Sequence, residues 1–200
     1  MVVRDLFYNT PARLKFMKKD AAEASSVSAV VQHLSLSNPH ISFQFIKDGT
    51  EVLHTPGDDQ LSSAIYSALG RDFALELVPI DGTGDGIRVH GYVTKPIASR
   101  GTRGMQTFFV NGRYIKSQLL TAALEEAYKN QMMKGKFPGC VLHLELPMTQ
   151  VDVNVHPAKT VVKFANERQV FSAVYHVVQD TLDRRETPAP ARASQPEPRS

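Results

Sequence analysis

This chain of 200 residues contains no tryptophan and a single cysteine, Cys140. One cysteine can neither close an internal disulfide nor build a structural zinc site, which excludes a stapled secreted scaffold and a zinc module. The seven histidines show no HExxH or other paired metal-ligand spacing. No apolar run reaches the length that spans a bilayer, and no basic-then-apolar signal segment opens the chain. No serine occupies a nucleophile elbow. The glycine-rich stretch Asp81-Gly82-Thr83-Gly84-Asp85-Gly86 lacks the G-K-[ST] ending of a phosphate loop, and an EF-hand reading would put Tyr92 where a glutamate is required. It reads as a mobile connection between two strands. Excess charge is also scarce: 23 basic against 20 acidic residues leave a net of +3, too little to identify nucleic acid as a partner.

What is present is patterned. An apolar content of 42% in 200 residues suffices for one large or two small domains. Met1-Val2-Val3 runs straight into a strand-like segment without a cap, as though an upstream part preceded it. Thr10-Pro11 predicts a helix start, and Asp20 and Glu23 have capping-box spacing before the apolar stripe Val27, Val30, Val31 and Leu34. Asn38-Pro39 ends that helix. Ile41, Phe43 and Phe45 alternate as a strand, Asp48-Gly49 turns it, and Glu51 to Thr55 returns. A helix carries Leu61, Ala64, Ile65, Ala68 and Leu69 up to Gly70.

Strands are expected near Leu75 to Ile80 and from Ile87 to Val93, then a hairpin around Asn111-Gly112. Ser117 can cap a helix bearing Leu120, Ala123, Leu124 and Ala127. Cys140 alternates with Leu142, Leu144 and Leu146, which predicts a buried thiol; a reducing, cytoplasmic setting fits. Asn166 and Gln169 open a closing helix with Val170, Phe171, Val174 and Val178 inward. From Thr187 the composition is that of a disordered linker. Strands and helices mixed in this way around one sheet give an α+β, two-layer α/β sandwich.

The stretch from Val151 to Phe164 carries the most chemistry. Val151, Val153 and Val155 alternate with Asp152, Asn154 and His156, predicting a strand that Pro157 breaks. The chain resumes with Val162 and Phe164 on one face and Val161 and Lys163 on the other. Lys159 is left at the mouth of the turn, where an ammonium suits a phosphate. A second candidate is the basic loop with Lys95, Arg100 and Arg103, together with Arg113 beyond the hairpin turn. Arginine forks on glycine-flanked backbone suit phosphate contacts that read no sequence.

Three motifs occur in order: Val3-Arg4-Asp5-Leu6-Phe7-Tyr8-Asn9-Thr10-Pro11-Ala12-Arg13-Leu14-Lys15-Phe16, then Gln106-Thr107-Phe108-Phe109-Val110-Asn111-Gly112-Arg113-Tyr114-Ile115, then Asp152-Val153-Asn154-Val155-His156-Pro157-Ala158-Lys159. Together they resemble the N-terminal ATPase region of the MutL DNA mismatch-repair family, over nearly everything from Val2 to about Glu186. The resemblance implies residues 1–20 as the end of a GHKL ATPase domain and its junction, 21–186 as a transducer domain, and 187–200 as linker. It implies a ribosomal protein S-five domain-2-like fold with a left-handed βαβ crossover, against the general rule of handedness.

It further implies Lys159 at the γ-phosphate of ATP, with Asp152, Asn154 and His156 supporting its loop, and Arg113 on DNA, duplex or single-stranded. For Lys95, Arg100 and Arg103 the carry-over is weaker. ATP and Mg²⁺ belong on this view to the longer parent; this piece lacks the glutamate base and lid motifs and should be inactive alone. The implied partners are a second copy through other regions of the parent, the mismatch-recognition protein MutS, and a downstream endonuclease or helicase at the bacterial nucleoid, with no membrane. Two alternatives stay open here, a stand-alone nucleic-acid-binding module of the same fold and a piece of another GHKL ATPase such as a topoisomerase subunit. Lys159 on its His156-Pro157 turn argues against the first, and the pairing of the last two motifs against the second.

Overall fold

Pro11 stands at the first position of a short helix, α1 (Pro11–Leu14), where its missing N–H costs nothing. The structure is a computed structural model describing residues 1–186, so the linker expected over 187–200 lies outside the described residues. The chain divides into two compact units, Met1–Leu75 and Glu76–Ser200.

In the first unit, α2 (Asp20–Ser37) starts one residue earlier than a capping box on Asp20 requires. Lys19 takes the N-cap position, Asp20 is already helical, and the Glu23 carboxylate accepts the Lys18 N–H at 2.8 Å. Both acids still sit in the first turn, where the helix dipole favours them. Most of the apolar stripe is not buried: Val27, Val30 and Leu34 are 49%, 57% and 47% exposed, and Val31 is half-buried. Ser35 and Leu36 are buried instead, and Gln32 donates to the Ala68 carbonyl at 2.7 Å, so the side of the helix bearing Gln32, Ser35 and Leu36 meets the rest of the unit.

The hairpin of β1 (Gln44–Lys47) and β2 (Thr50–His54) turns at Asp48-Gly49, both with positive φ (49° and 77°). The expected strand from Ile41 is shortened because the Thr55 hydroxyl takes the Phe43 N–H at 2.9 Å, replacing a ladder bond. Next comes α3 (Leu61–Leu69), closed by Gly70 at φ 92°. A short α4 (Arg71–Leu75) replaces the start of the strand expected near Leu75.

The second unit holds one five-stranded sheet. Its strands are β3 (Leu77–Gly84), β4 (Ile87–Thr94), β5 (Gln106–Val110), β6 (Arg113–Ile115) and β7 (Cys140–Glu145), in spatial order β3-β4-β7-β5-β6. Among the described residues only β5 and β7 pair in parallel, and the chain between them runs through β6 and α5 (Gln118–Ala127). The Ser117 hydroxyl caps α5 by accepting the Leu120 N–H at 3.3 Å. The Asn166 side chain likewise accepts the Gln169 N–H at the start of α6 (Glu167–Glu186), at 3.1 Å. Val170, Val174 and Val178 of α6 join Leu120 and Leu124 of α5 against Ile87, Val89 and Leu142 in the core. Helices therefore cover one sheet face, the α+β arrangement the pattern predicts.

The glycine-rich stretch is no mobile connection. It is the end of β3 followed by a two-residue turn at Asp85 (φ 50°) and Gly86 (φ 77°). Gly82 and Gly84 let α6 approach the sheet. A Cβ on Gly82 would stand 2.9 Å from Val177 Cγ1, and one on Gly84 3.1 Å from Ala173 Cα.

Candidate phosphate-binding site

The alternation from Val151 to Val155 yields only two paired residues: β8 (Val151–Asp152) faces β9 (Lys163–Phe164), with Asp152 opposite Lys163. Residues 153–162 leave the ladder because side chains offer the backbone closer partners. Asp152 Oδ1 accepts the Asn154 N–H at 2.9 Å, and His156 Nδ1 accepts the Ala158 N–H at 3.2 Å. The His156 carbonyl then accepts the Lys159 N–H at 2.9 Å. Asp152 and His156 thus hold the loop through their side chains, and Asn154 takes part through its backbone. An acceptor at Nδ1 puts the proton of neutral His156 on Nε2.

Lys159 stands at the turn these bonds create, with φ 53°. A left-handed conformation costs a residue with a Cβ about 1–2 kcal/mol, so the surrounding bonds hold the lysine where an unrestrained chain would not. Its side chain is exposed, and none of the ion pairs among the described residues involves it. Lys163 is also exposed, but on the strand beyond. An exposed ammonium without an ion pair among the described residues, on a held backbone, can donate to a phosphoryl oxygen, and that is the chemistry the loop offers.

Arg113 is the exposed first residue of β6, just past a turn formed by Asn111 (φ 48°) and Gly112 (φ 79°). The basic loop behaves differently. Arg100 donates to Glu76 at 2.5 Å while its backbone bridges Phe137. Arg103 grips Glu125 with two bonds of 2.6 and 3.0 Å and lies 4.0 Å over the Phe137 ring, and the Glu125 bond raises its pKa further. The Lys95 N–H is tied to the Glu76 carbonyl at 2.9 Å and its side chain is exposed. Two of the four expected backbone contacts therefore already face carboxylates of their own fold.

Sequence reasoning missed a polar row across the sheet face opposite α6. Arg88 binds Asp81 at 2.9 Å and Glu145 at 3.5 Å, and His90 meets Glu145 at 2.9 Å. His143 stacks on His90 and on Phe109, with ring centroids 5.3 and 4.5 Å apart. The Arg88 hydrogen bond holds the Asp81 carboxyl below the usual carboxylate range. Alternation alone places these residues on one face, but their register depends on β7 lying beside β4, 57 residues away at Arg88–Glu145. Among the described residues no cluster of three or more His, Cys, Asp or Glu is placed to hold a metal ion, and no helix is long and apolar enough to cross a membrane.

A family model described as "DNA mismatch repair protein, C-terminal domain" matches residues 65–183. The DNA mismatch repair protein MutL of Symbiobacterium thermophilum is 42% identical over 182 residues, which are 91% of this chain and 29% of that protein. A crystal structure of the N-terminal domain of a DNA repair protein superposes with TM-score 0.73 at 28% identity, covering 90% of this chain and 60% of that one. The Aquifex aeolicus MutL ATPase domain complexed with ADP superposes with TM-score 0.54 at 26% identity, over 72% of this chain and 51% of that one. The chain spans less than a third of the length of its MutL relative.

Proposed function

This chain belongs to the DNA mismatch repair protein family, and from there we propose that it is the transducer part of a MutL-type ATPase, residues 21–186 following the end of a GHKL domain. The observation that carries this is Lys159: exposed, without an ion pair among the described residues, and held at positive φ by a loop whose bonds serve no strand. The likeness to an ATPase domain complexed with ADP supports a nucleotide as the phosphate donor. ATP with Mg²⁺, held by the longer protein, supplies the phosphoryl group. Lys159 binds and orients it, and a preorganised charge at that point stabilises negative charge as it develops.

A lysine that meets the γ-phosphate also ties the placement of its own unit to the nucleotide state, which couples ATP to dimer closure. Arg113 is the favoured contact to the DNA backbone, since Arg100 and Arg103 are bound to Glu76 and Glu125. Lys95 is a secondary contact. Dimerisation lies in other regions of the parent, and MutS and a downstream endonuclease or helicase at the nucleoid are the partners such a switch serves. A stand-alone nucleic-acid module gives no reason for the Lys159 turn, and the neutralised arginines of the basic loop weaken it further.

The test compares Lys159→Ala with Lys163→Ala in a protein extended to the length of the relatives. Turnover should fall roughly 10²–10³-fold for Lys159→Ala, the scale for one preorganised charge-stabilising donor, with the melting temperature unmoved. Lys163→Ala should leave both near wild type. Equal losses in the two variants would refute the γ-phosphate assignment.

A further inference from the structure

Two separate ties join the hairpin bearing Arg113 to the segment bearing Lys159. At the turn, Asn111 Nδ2 donates to the Leu146 carbonyl at 2.9 Å while Asn111 Oδ1 accepts the Leu146 N–H at 3.1 Å. The Asn111 N–H adds a bond to the Leu144 carbonyl at 2.9 Å. One side chain thus copies a full ladder rung where β7 gives way to the chain leading into β8. At the other end of β6, the Lys116 N–H donates to the Thr160 carbonyl at 2.7 Å, one residue beyond Lys159.

The positive φ of Asn111 is enough for the turn, and glycine would supply it as well. The two-way amide bond to Leu146 is not needed for turning. It connects the hairpin to the only covalent path from β7 to the Lys159 loop. The Lys116–Thr160 bond closes the circuit from the other side, so β6 is flanked at both ends by contacts with that segment.

We propose that Asn111 is a positioning residue that makes the Arg113 hairpin and the Lys159 loop one coupled element. A phosphate backbone at Arg113 and a phosphoryl group at Lys159 then change each other's affinity. The inference rests on the proposed reading of both residues as phosphate contacts. The structure shows the loop docked on the end of β6 with the Lys116–Thr160 bond made, and the coupling requires a second arrangement in which the loop is released and that bond broken. A ligand that favours the docked form at one site favours it for the other, and linkage makes the effect reciprocal.

Amide hydrogen exchange on this 200-residue chain, free and saturated with a short mixed-sequence DNA duplex, reads the docked bond directly at the Lys116 N–H. The duplex should slow that exchange by roughly fivefold or more, the lower end of usual coupling between sites. Asn111→Gly should still bind the duplex but lose the slowing. Asn111→Asp, which keeps the acceptor and lacks the donor, should retain only part of it, and it reads the tie if the glycine variant fails to fold. Undiminished slowing in the Asn111 variants, or none in the wild type while Arg113→Glu still weakens duplex binding, overturns the coupling and leaves Arg113 as the contact. Duplex binding indifferent to Arg113→Glu removes the contact itself, and the coupling with it.

Discussion

Gly91 lies in the middle of β4, opposite Leu142 of β7, at φ 127°. A Cβ built there would stand 2.1 Å from the Val141 carbonyl oxygen, a backbone atom within the ladder. Gly91→Ala therefore imposes two costs. Holding a residue with a Cβ in a glycine-only conformation costs about 1–3 kcal/mol. Relieving the clash means pushing β7 away, which weakens neighbouring rungs worth about 0.5–1.5 kcal/mol each.

A net loss of about 3 kcal/mol is expected from these, a large share of the 5–15 kcal/mol that holds a typical domain together. For a chain of this length it lowers the melting temperature by roughly 6–12 °C. Gly86→Ala is the control: it also has positive φ, 77°, but nothing stands within 4 Å of its Cβ. It should cost about 1–2 kcal/mol, from conformation alone. Calorimetry or circular dichroism melts of the two variants decide the matter. A Gly91→Ala protein melting no lower than Gly86→Ala would refute the packing argument.

Other outcomes are open to measurement. Mg-ATP titrated calorimetrically into this chain should bind more weakly than micromolar, because one charged hydrogen bond gives ~1.5–3 kcal/mol where micromolar affinity needs about 8. Arg113→Glu should weaken duplex binding regardless of sequence and flatten the log K against log salt slope by about 0.9, read by fluorescence anisotropy. The Cys140 thiol, fully buried and with its pKa raised by that burial, should resist a thiol reagent in the native protein and react once urea unfolds it. The Asp81 pKa is depressed, so its bond to Arg88 stabilises the fold above the ordinary carboxylate pKa and that share is lost as pH falls through the lower folded value. Arg88→Gln should flatten the acid limb of a stability–pH curve.

The elements legible in the sequence are those decided within a few residues. Asn111-Gly112 and Asp48-Gly49 announce their hairpins because both positions need positive φ, and Ser117 and Asn166 announce helix starts by the bonds they make one turn on. Cys140 and its alternating leucines are buried as the pattern requires. What could not be read depends on distant partners. Gly82 and Gly84 look like a loop until α6 is laid across them. Arg100 and Arg103 look free until Glu76 and Glu125, 24 and 22 residues away, are brought alongside. The valines from Val151 to Val155 have the period of a strand, but Asp152 and His156 bond locally and end it after two residues. In the α2 stripe Val27, Val30 and Leu34 have the right spacing and still stay exposed, since spacing fixes a face without saying what covers it.

The strand order β3-β4-β7-β5-β6 has a consequence for synthesis. The strands of two hairpins, β3-β4 and β5-β6, are synthesised before β7, and the two hairpins are joined in the sheet only through it. Each then shows an open edge, at β4 and at β5, of the kind that recruits stray strands. Only when Cys140–Glu145 emerges can it slot between them, antiparallel to β4 and parallel to β5, and close both edges at once. At a synthesis rate of about 5–20 residues per second, the interval from the end of β6 to the end of β7 lasts on the order of seconds. A pause within α5 would prolong it, and a chain cut short before β7 would carry both sticky edges permanently.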